Sequence, residues 1–194
     1  MRIIFDIHGK MHRYKQLTTD VKKSVQIGDL GFKSQHEWFL ANMDCDNHKV
    51  LFGNHDYYPY INLKHSLGDF AFYEGIFFIR GAASIDKAYR VAYRDWFPEE
   101  ELNFRQMTEC FNLYSEIKPK IVVSHDCPQA VCKELFGHPG SHTRNFLQLL
   151  FEEHQPDMWL FGHHHQNVEL VLDNTYFKCG EELEYYDISE NLLK

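Results

Sequence analysis

Short apolar runs that stop at Asp, Asn and His recur along this chain, and they restrict its fold more than any other feature. Met1 to Asp6 runs into Asp6-Ile7-His8-Gly9, Ser24 to Gly28 into Gly28-Asp29, and Lys49 to Phe52 into Gly53-Asn54-His55-Asp56. Lys120 to Val123 leads to Ser124-His125-Asp126, and Met158-Trp159-Leu160-Phe161 leads through Gly162 into His163, His164 and His165. Each run is too short for a helix and reads as a buried strand. In open α/β sheets, ligands and chemistry gather beyond the carboxyl ends of the strands, so these ends predict one shared site. Side chains alternate along an extended chain, which sends His163 and His165 to one side and His164 to the other, toward solvent. A histidine tract can be an expression tag, but tags sit at termini and are not joined to a core strand.

Helices are expected between the strands. One spans Met11 to Val21; Ser34 and Glu37 form a capping-box pattern that starts another, to Met43. Pro98 and the three glutamates after it open a long helix to Ile117, which Lys118-Pro119 stops. A short helix is expected over Gln129 to Leu135, and Ser141 caps one that ends at His154. Asp69 to Tyr73 and Ile76 to Arg80 pair as a hairpin around Glu74-Gly75, and Val168 to Leu172 and Thr175 to Lys178 do so around Asp173-Asn174. The acidic tail, Glu181 to Glu190, carries little signal. This alternation, closing in antiparallel hairpins, predicts an α/β layered sandwich. With no repeat or linker, residues 1–194 are expected to form a single domain.

The formal net charge of −8 argues against a broad nucleic-acid track, because phosphate backbones are held chiefly by Lys and Arg. Five cysteines without a C-x-x-C pair fit reduced thiols and a cytoplasmic setting rather than a disulfide scaffold. The sequence has no signal-peptide pattern and no apolar run long enough to span a bilayer, so a membrane partner is not expected.

Asp6 and His8 are two apart and share a side, and Asp29, Asn54, His125, His163 and His165 complete a mixed oxygen and nitrogen set. Such a set suits divalent Mn, Fe, Zn or Ni better than calcium. Seven ligands exceed the needs of one ion. They match two divalent metal ions sharing a carboxylate, about 3.5 to 4 Å apart, a recurrent device of phosphoester hydrolysis.

The ordered series D-x-H, G-D, G-N-H-D, H, G-H-x-H, from Asp6 to His165, resembles the calcineurin-like metallophosphoesterase superfamily. That resemblance implies two packed mixed β-sheets flanked by helices, a four-layer αββα sandwich, and metal-dependent phosphoester hydrolysis by activated water. It puts Asp6, His8, Asp29 and His165 on one metal and Asp29, Asn54, His125 and His163 on the other, with Asp29 bridging. His55 is then the general acid that protonates the departing oxygen, and Asp56 is a candidate to orient its ring. Related protein phosphatases carry G-D-x-x-D-R-G in the second block, where this chain has Gly28-Asp29-Leu30-Gly31-Phe32. The missing pair weakens a phosphoprotein reading and requires the phosphate-gripping cation to come from elsewhere.

The polar segment Ala83 to Trp96 carries Asp86, Lys87, Arg90 and Arg94 among Tyr89, Tyr93 and Trp96. It reads as a loop, and Arg80 to Trp96 is a candidate substrate lip in which Arg90 and Arg94 hold phosphate and Tyr89, Tyr93 or Trp96 stacks on a base. Tyr57, directly after the general acid block, is a candidate cleft wall or part of a packed turn. Arg144 lies in the first turn after Ser141, a helix start that could receive an anion. The expected activity is hydrolysis of a phosphodiester or phosphomonoester of a nucleotide or other small substrate. A metal-dependent nuclease is the alternative, disfavoured by net charge, and a scaffold of the same fold is the non-catalytic one, disfavoured by the complete ligand set.

Overall fold

The computed structural model describes residues 1–189; Glu190, the last residue of the acidic tail, lies outside them. Strands β1 (Arg2–Ile4), β2 (Ser24–Ile27) and β3 (His48–Leu51) run parallel, joined by helices α1 (Met11–Thr18) and α2 (Lys33–Asn42). The second sheet begins with the hairpin β4 (Phe70–Tyr73) and β5 (Ile76–Ile79), paired antiparallel around Glu74-Gly75. Helix α3 (Phe104–Ile117) leads to β6 (Ile121–Ser124). Helices α4 (Gln129–Phe136) and α5 (His142–Glu153) lead to β7 (Met158–Phe161), and the hairpin β8 (Val168–Leu172) and β9 (Thr175–Cys179) follows. The order is β4-β5-β6-β7-β9-β8, with β5, β6, β7 and β9 parallel and an antiparallel strand at each edge.

The period-2 alternation of strand side chains divides the core into layers. Ile3, Phe5, Val25 and Ile27 of the first sheet face Phe78, Val123 and Leu160 of the second. Ile4, Val50 and Phe52 turn the other way onto Tyr14, Leu17 and Phe39 of α1 and α2. Phe77, Val122, Trp159 and Phe177 turn outward onto α3, α4 and α5. The central strands are covered on both faces, which is why their sequences are continuously apolar. The architecture is therefore two mixed sheets flanked by helices. No helix among the described residues is long and apolar enough to cross a membrane.

Some elements differ from expectation. The long helix does not start at Pro98: Pro98–Glu100 is a single 3-10 turn, and α3 begins after Asn103, whose side chain exchanges capping-box hydrogen bonds with Gln106. Glu100 caps nothing, because it is buried and accepts hydrogen bonds from Ser84 instead. Ser34 and Glu37 form no capping box; α2 starts at Lys33 after Phe32, and Glu37 faces Tyr60 and Lys33. Ser141 does cap α5, accepting from the Arg144 N–H. The tail holds a strand, β10 (Tyr185–Asp187), antiparallel to β1, so the first sheet runs β10-β1-β2-β3. Arg2 pins it, lying 3.8 Å over the Tyr185 ring and pairing with Asp187 at 2.8 Å.

Candidate metal centre

The ends of β1, β2, β3, β6 and β7 open onto one another. Asp6, His8, Asp29 and His165 offer ligand atoms that all lie within 4.8 Å of one another, and Asp29, His125 and His163 form a second such group. Asp29 belongs to both. Within the first, His165 Nε2 lies 2.9 Å from Asp6 Oδ2 and 2.8 Å from His8 Nε2. Within the second, His125 Nε2 lies 3.2 Å from Asp29 Oδ1 and 3.2 Å from Asn54 Oδ1.

The orientations of these groups suit a cation. His125 Nδ1 lies 2.9 Å from the Ile27 carbonyl, to which it donates. In the neutral ring that bond keeps the proton on Nδ1 and leaves Nε2 as a lone pair, facing two oxygens that also offer only lone pairs. The Asn54 amide is oriented likewise: its Nδ2 donates to Ser84 Oγ at 3.1 Å, and Ser84 Oγ donates to Glu100 at 2.6 Å. Burial disfavours charge on His125, but the Asp29 charge and hydrogen bond outweigh it and push the imidazole up to about 10, so a proton holds the Nε2 position that a cation would take. Burial likewise opposes ionisation of Asp29, yet the neighbouring histidines hold its carboxyl well below the usual range. Convergent carboxylate, amide oxygen and imidazole lone pairs in a buried pocket are the donor set of a divalent ion. His8 and His165, 25% and 43% exposed, leave the first group open to solvent, whereas His125 is fully buried.

The backbone shapes this pocket. His8, Asp29, His163 and His165 all adopt positive φ, between 46° and 66°, a conformation uncommon for residues other than glycine. The expected alternation at His163 and His165 is therefore not the cause of their orientation; two left-handed residues turn the loop after β7. Glycines permit the close packing: a Cβ on Gly28 would strike the His125 ring, and one on Gly162 would strike the Asp6 carboxylate.

His55 lies beside the first group, its ring 5.3 Å from the His8 ring, and it lines a cleft of about 420 Å³ with Asp29, Asn54, Asp86, Arg90 and Arg144. Arg90 guanidinium nitrogens lie 3.1 Å from His55 Nδ1 and 2.9 Å from Nε2, while Asp86 pairs with Arg90 at 2.8 Å. Burial lowers the His55 pKa, the Asp29 charge opposes that, and the Arg90 charge adds to it.

Several residues take other positions than the sequence suggested. Asp56 does not orient His55. Fully buried, it accepts from the backbone N–H groups of Asp29, Gly31 and Gly53 at 2.8, 3.2 and 2.7 Å, and from His36 Nε2 at 3.0 Å. His36 in turn accepts from His65 at 2.8 Å. Arg94 points to solvent and pairs with Asp95, and Tyr57 packs edge-on against Tyr60 and Phe97, so neither lines the cleft. Tyr89 and Tyr93 are exposed. His164 does not face solvent: its ring stacks on Phe136 with centroids 4.0 Å apart, and its Nε2 lies 3.1 Å from Asp126. The Arg144 guanidinium is paired with buried Asp126 at 2.9 Å. Sequence reading missed the supporting roles of Ser84, Glu100, His36 and His65; only the adjacency of Asp56 to the ligand block pointed toward any of these.

A sequence profile described as calcineurin-like phosphoesterase matches residues 3–167. No curated protein matches the chain. Among solved structures, TT1561 of Thermus thermophilus is similar with a TM-score of 0.57 at 14% identity, over 94% of this chain and 89% of that one. Phosphopantetheinyl hydrolase (PptH) from Mycobacterium tuberculosis is similar with a TM-score of 0.54 at 13% identity, over 93% of this chain and 89% of that one. At these identities the two likenesses bear on the fold alone. The profile match, spanning most of the sequence and every strand end described above, places this chain in the calcineurin-like phosphoesterase family.

Proposed function

We propose that the chain is a two-metal phosphoesterase acting on a small phosphodiester or phosphomonoester. The observation that carries this reading is the pair of ligand groups that share Asp29. Asp6, His8, Asp29 and His165 would hold one ion, and Asp29, Asn54, His125 and His163 the other. Bound divalent ions supply Lewis acidity toward water and the phosphoryl oxygens.

The chain's own residues do the rest. His55, at the cleft wall, is the proton donor to the departing oxygen. Burial keeps it neutral at rest, and an incoming phosphoester anion favours its protonated form. Arg90, already in the cleft, takes the place of the arginine that the second motif block lacks and grips the phosphoryl group. A guanidinium suits this, being always charged and matched to two phosphate oxygens at once. A cleft of about 420 Å³ in a chain of net charge −8 favours a small substrate, such as a nucleotide, over a nucleic-acid strand.

The test is hydrolysis of bis-p-nitrophenyl phosphate and p-nitrophenyl phosphate by metal-stripped protein, with Mn, Ni, Zn or Mg added back. Turnover that returns with metal and is absent in Asp29→Ala supports the reading, and the ratio of the two rates assigns diester or monoester. Folded protein that holds two ions and hydrolyses neither ester would contradict it.

A further inference from the structure

His164 belongs to neither ligand group of the centre, yet it is not idle. Its Nε2 lies 3.8 Å from the Cys127 sulfur, and together with Cys132 these side chains bring three ligand atoms within 4.8 Å of one another. Cys127 follows the end of β6, and Cys132 lies in α4. Both thiols are buried and free. Cys45 and Cys110 are buried too, but they belong to no such group among the described residues. Cys179 is also outside it, its thiol directed at the carbonyls of Gly162 and Gly180.

We propose that Cys127, Cys132 and His164 form a third metal site, selective for a thiophilic d10 ion such as zinc and separate from the oxygen and nitrogen centre. Two sulfurs and an imidazole are a soft set, which favours such ions over manganese or magnesium. For zinc bonds of about 2.0 Å to nitrogen and 2.3 Å to sulfur, a tetrahedral pair lies roughly 3.5 Å apart, and the Cys127 to His164 separation of 3.8 Å is close to that. Asp126 Oδ1, 3.1 Å from His164 Nε2, is placed to be the fourth ligand, and its other oxygen is held by Arg144 at 2.9 Å. The stack of His164 on Phe136 fixes the ring plane. His164 and Arg144 line the cleft, so the site borders it. On binding, the two thiols release their protons to solvent and the sulfurs bind as thiolates. An ion there ties the β6–α4 junction to the loop that carries His163 and His165, so its occupancy stiffens the neighbouring centre.

The test uses the reduced, metal-stripped full chain titrated with Cd²⁺, read by thiolate-to-cadmium charge-transfer absorption, to which oxygen and nitrogen ligands do not contribute. The expected result is a band that saturates at one thiolate-bound ion per chain, persists in Asp29→Ala and disappears in Cys132→Ser. Its persistence in Asp29→Ala makes the outcome independent of the two-ion reading. Should Cys132→Ser fail to fold, zinc-edge X-ray absorption of the wild-type protein loaded with Zn²⁺ replaces it, and sulfur scatterers in the zinc shell are expected. No charge-transfer band in protein whose thiols are shown to be free, or a band unaffected by Cys132→Ser, overturns the proposal. A zinc shell without sulfur does so equally.

Discussion

The Arg90 guanidinium lies against the His55 imidazole, with nitrogens 3.1 and 2.9 Å from the two ring nitrogens. Arginine can only donate, and a neutral imidazole has one acceptor, so this contact favours the unprotonated ring. Replacing Arg90 by Ala should raise the His55 pKa and move the alkaline limb of kcat/KM to higher pH. It should also lower kcat/KM by about 10- to 100-fold, as expected for a lost charge-assisted hydrogen bond to phosphate. Arg90→Lys should restore little of this, because a lysine cannot engage two phosphate oxygens in the same geometry. A pH–rate profile identical to that of the wild type would remove Arg90 from the account.

If His55 protonates the departing oxygen, its loss matters most when that oxygen is a poor leaving group. His55→Ala should lower kcat on an alkyl phosphoester by about 10²- to 10⁴-fold and on a p-nitrophenyl ester by far less. Metal content should not change, since His55 belongs to neither ligand group. Equal losses on both esters would assign His55 a binding role instead.

Asp56 joins the second and third motif blocks from beneath, through the N–H groups of Asp29, Gly31 and Gly53. Truncation to Ala strands these three buried backbone donors and the His36 Nε2 donor as well, each costing about 1 to 3 kcal/mol. Urea unfolding of metal-free Asp56→Ala should therefore show a loss of about 3 kcal/mol or more. A loss below about 1 kcal/mol would show that these donors find other partners.

His65, buried behind His36, carries an unpaired Nδ1, and burial pushes its imidazole down to about 3. The unfolded chain binds a proton at about pH 6.5 that the folded chain refuses until about pH 3, so stability rises with pH across that window. Within it, wild-type stability should fall on acidification more steeply than that of His65→Gln, by up to about 1.4 kcal/mol per pH unit. Parallel curves for the two proteins would show that His65 does not titrate differently on folding.

The parts of this molecule that could be read from sequence are those fixed by local chemistry. The apolar runs before Asp6, Asp29, Asn54, His125 and Gly162 are strands buried on both faces, and their polar ends meet because parallel strands share a direction. What escaped depends on the backbone or on distant partners. The orientations of His163 and His165 come from positive φ angles, which no residue type there advertises. His164 was misplaced because its partners, Asp126, Cys127 and Phe136, lie far from it in the sequence. The glutamates after Pro98 resemble a helix start, but Glu100 is drawn inward by Ser84 to support Asn54. Strand β10 was hidden in an acidic tail because Arg2 supplies the charge that its Asp187 needs.

The central claim is that Asp29 joins two ions in one centre. The most direct measurement is electron paramagnetic resonance of metal-stripped protein reloaded with Mn²⁺, a hard ion that the thiol site disfavours. Two Mn²⁺ per chain with an exchange-coupled spectrum, lost in Asp29→Ala, is the predicted result. A single ion, or two ions without coupling while Asp29 is intact, would contradict the account.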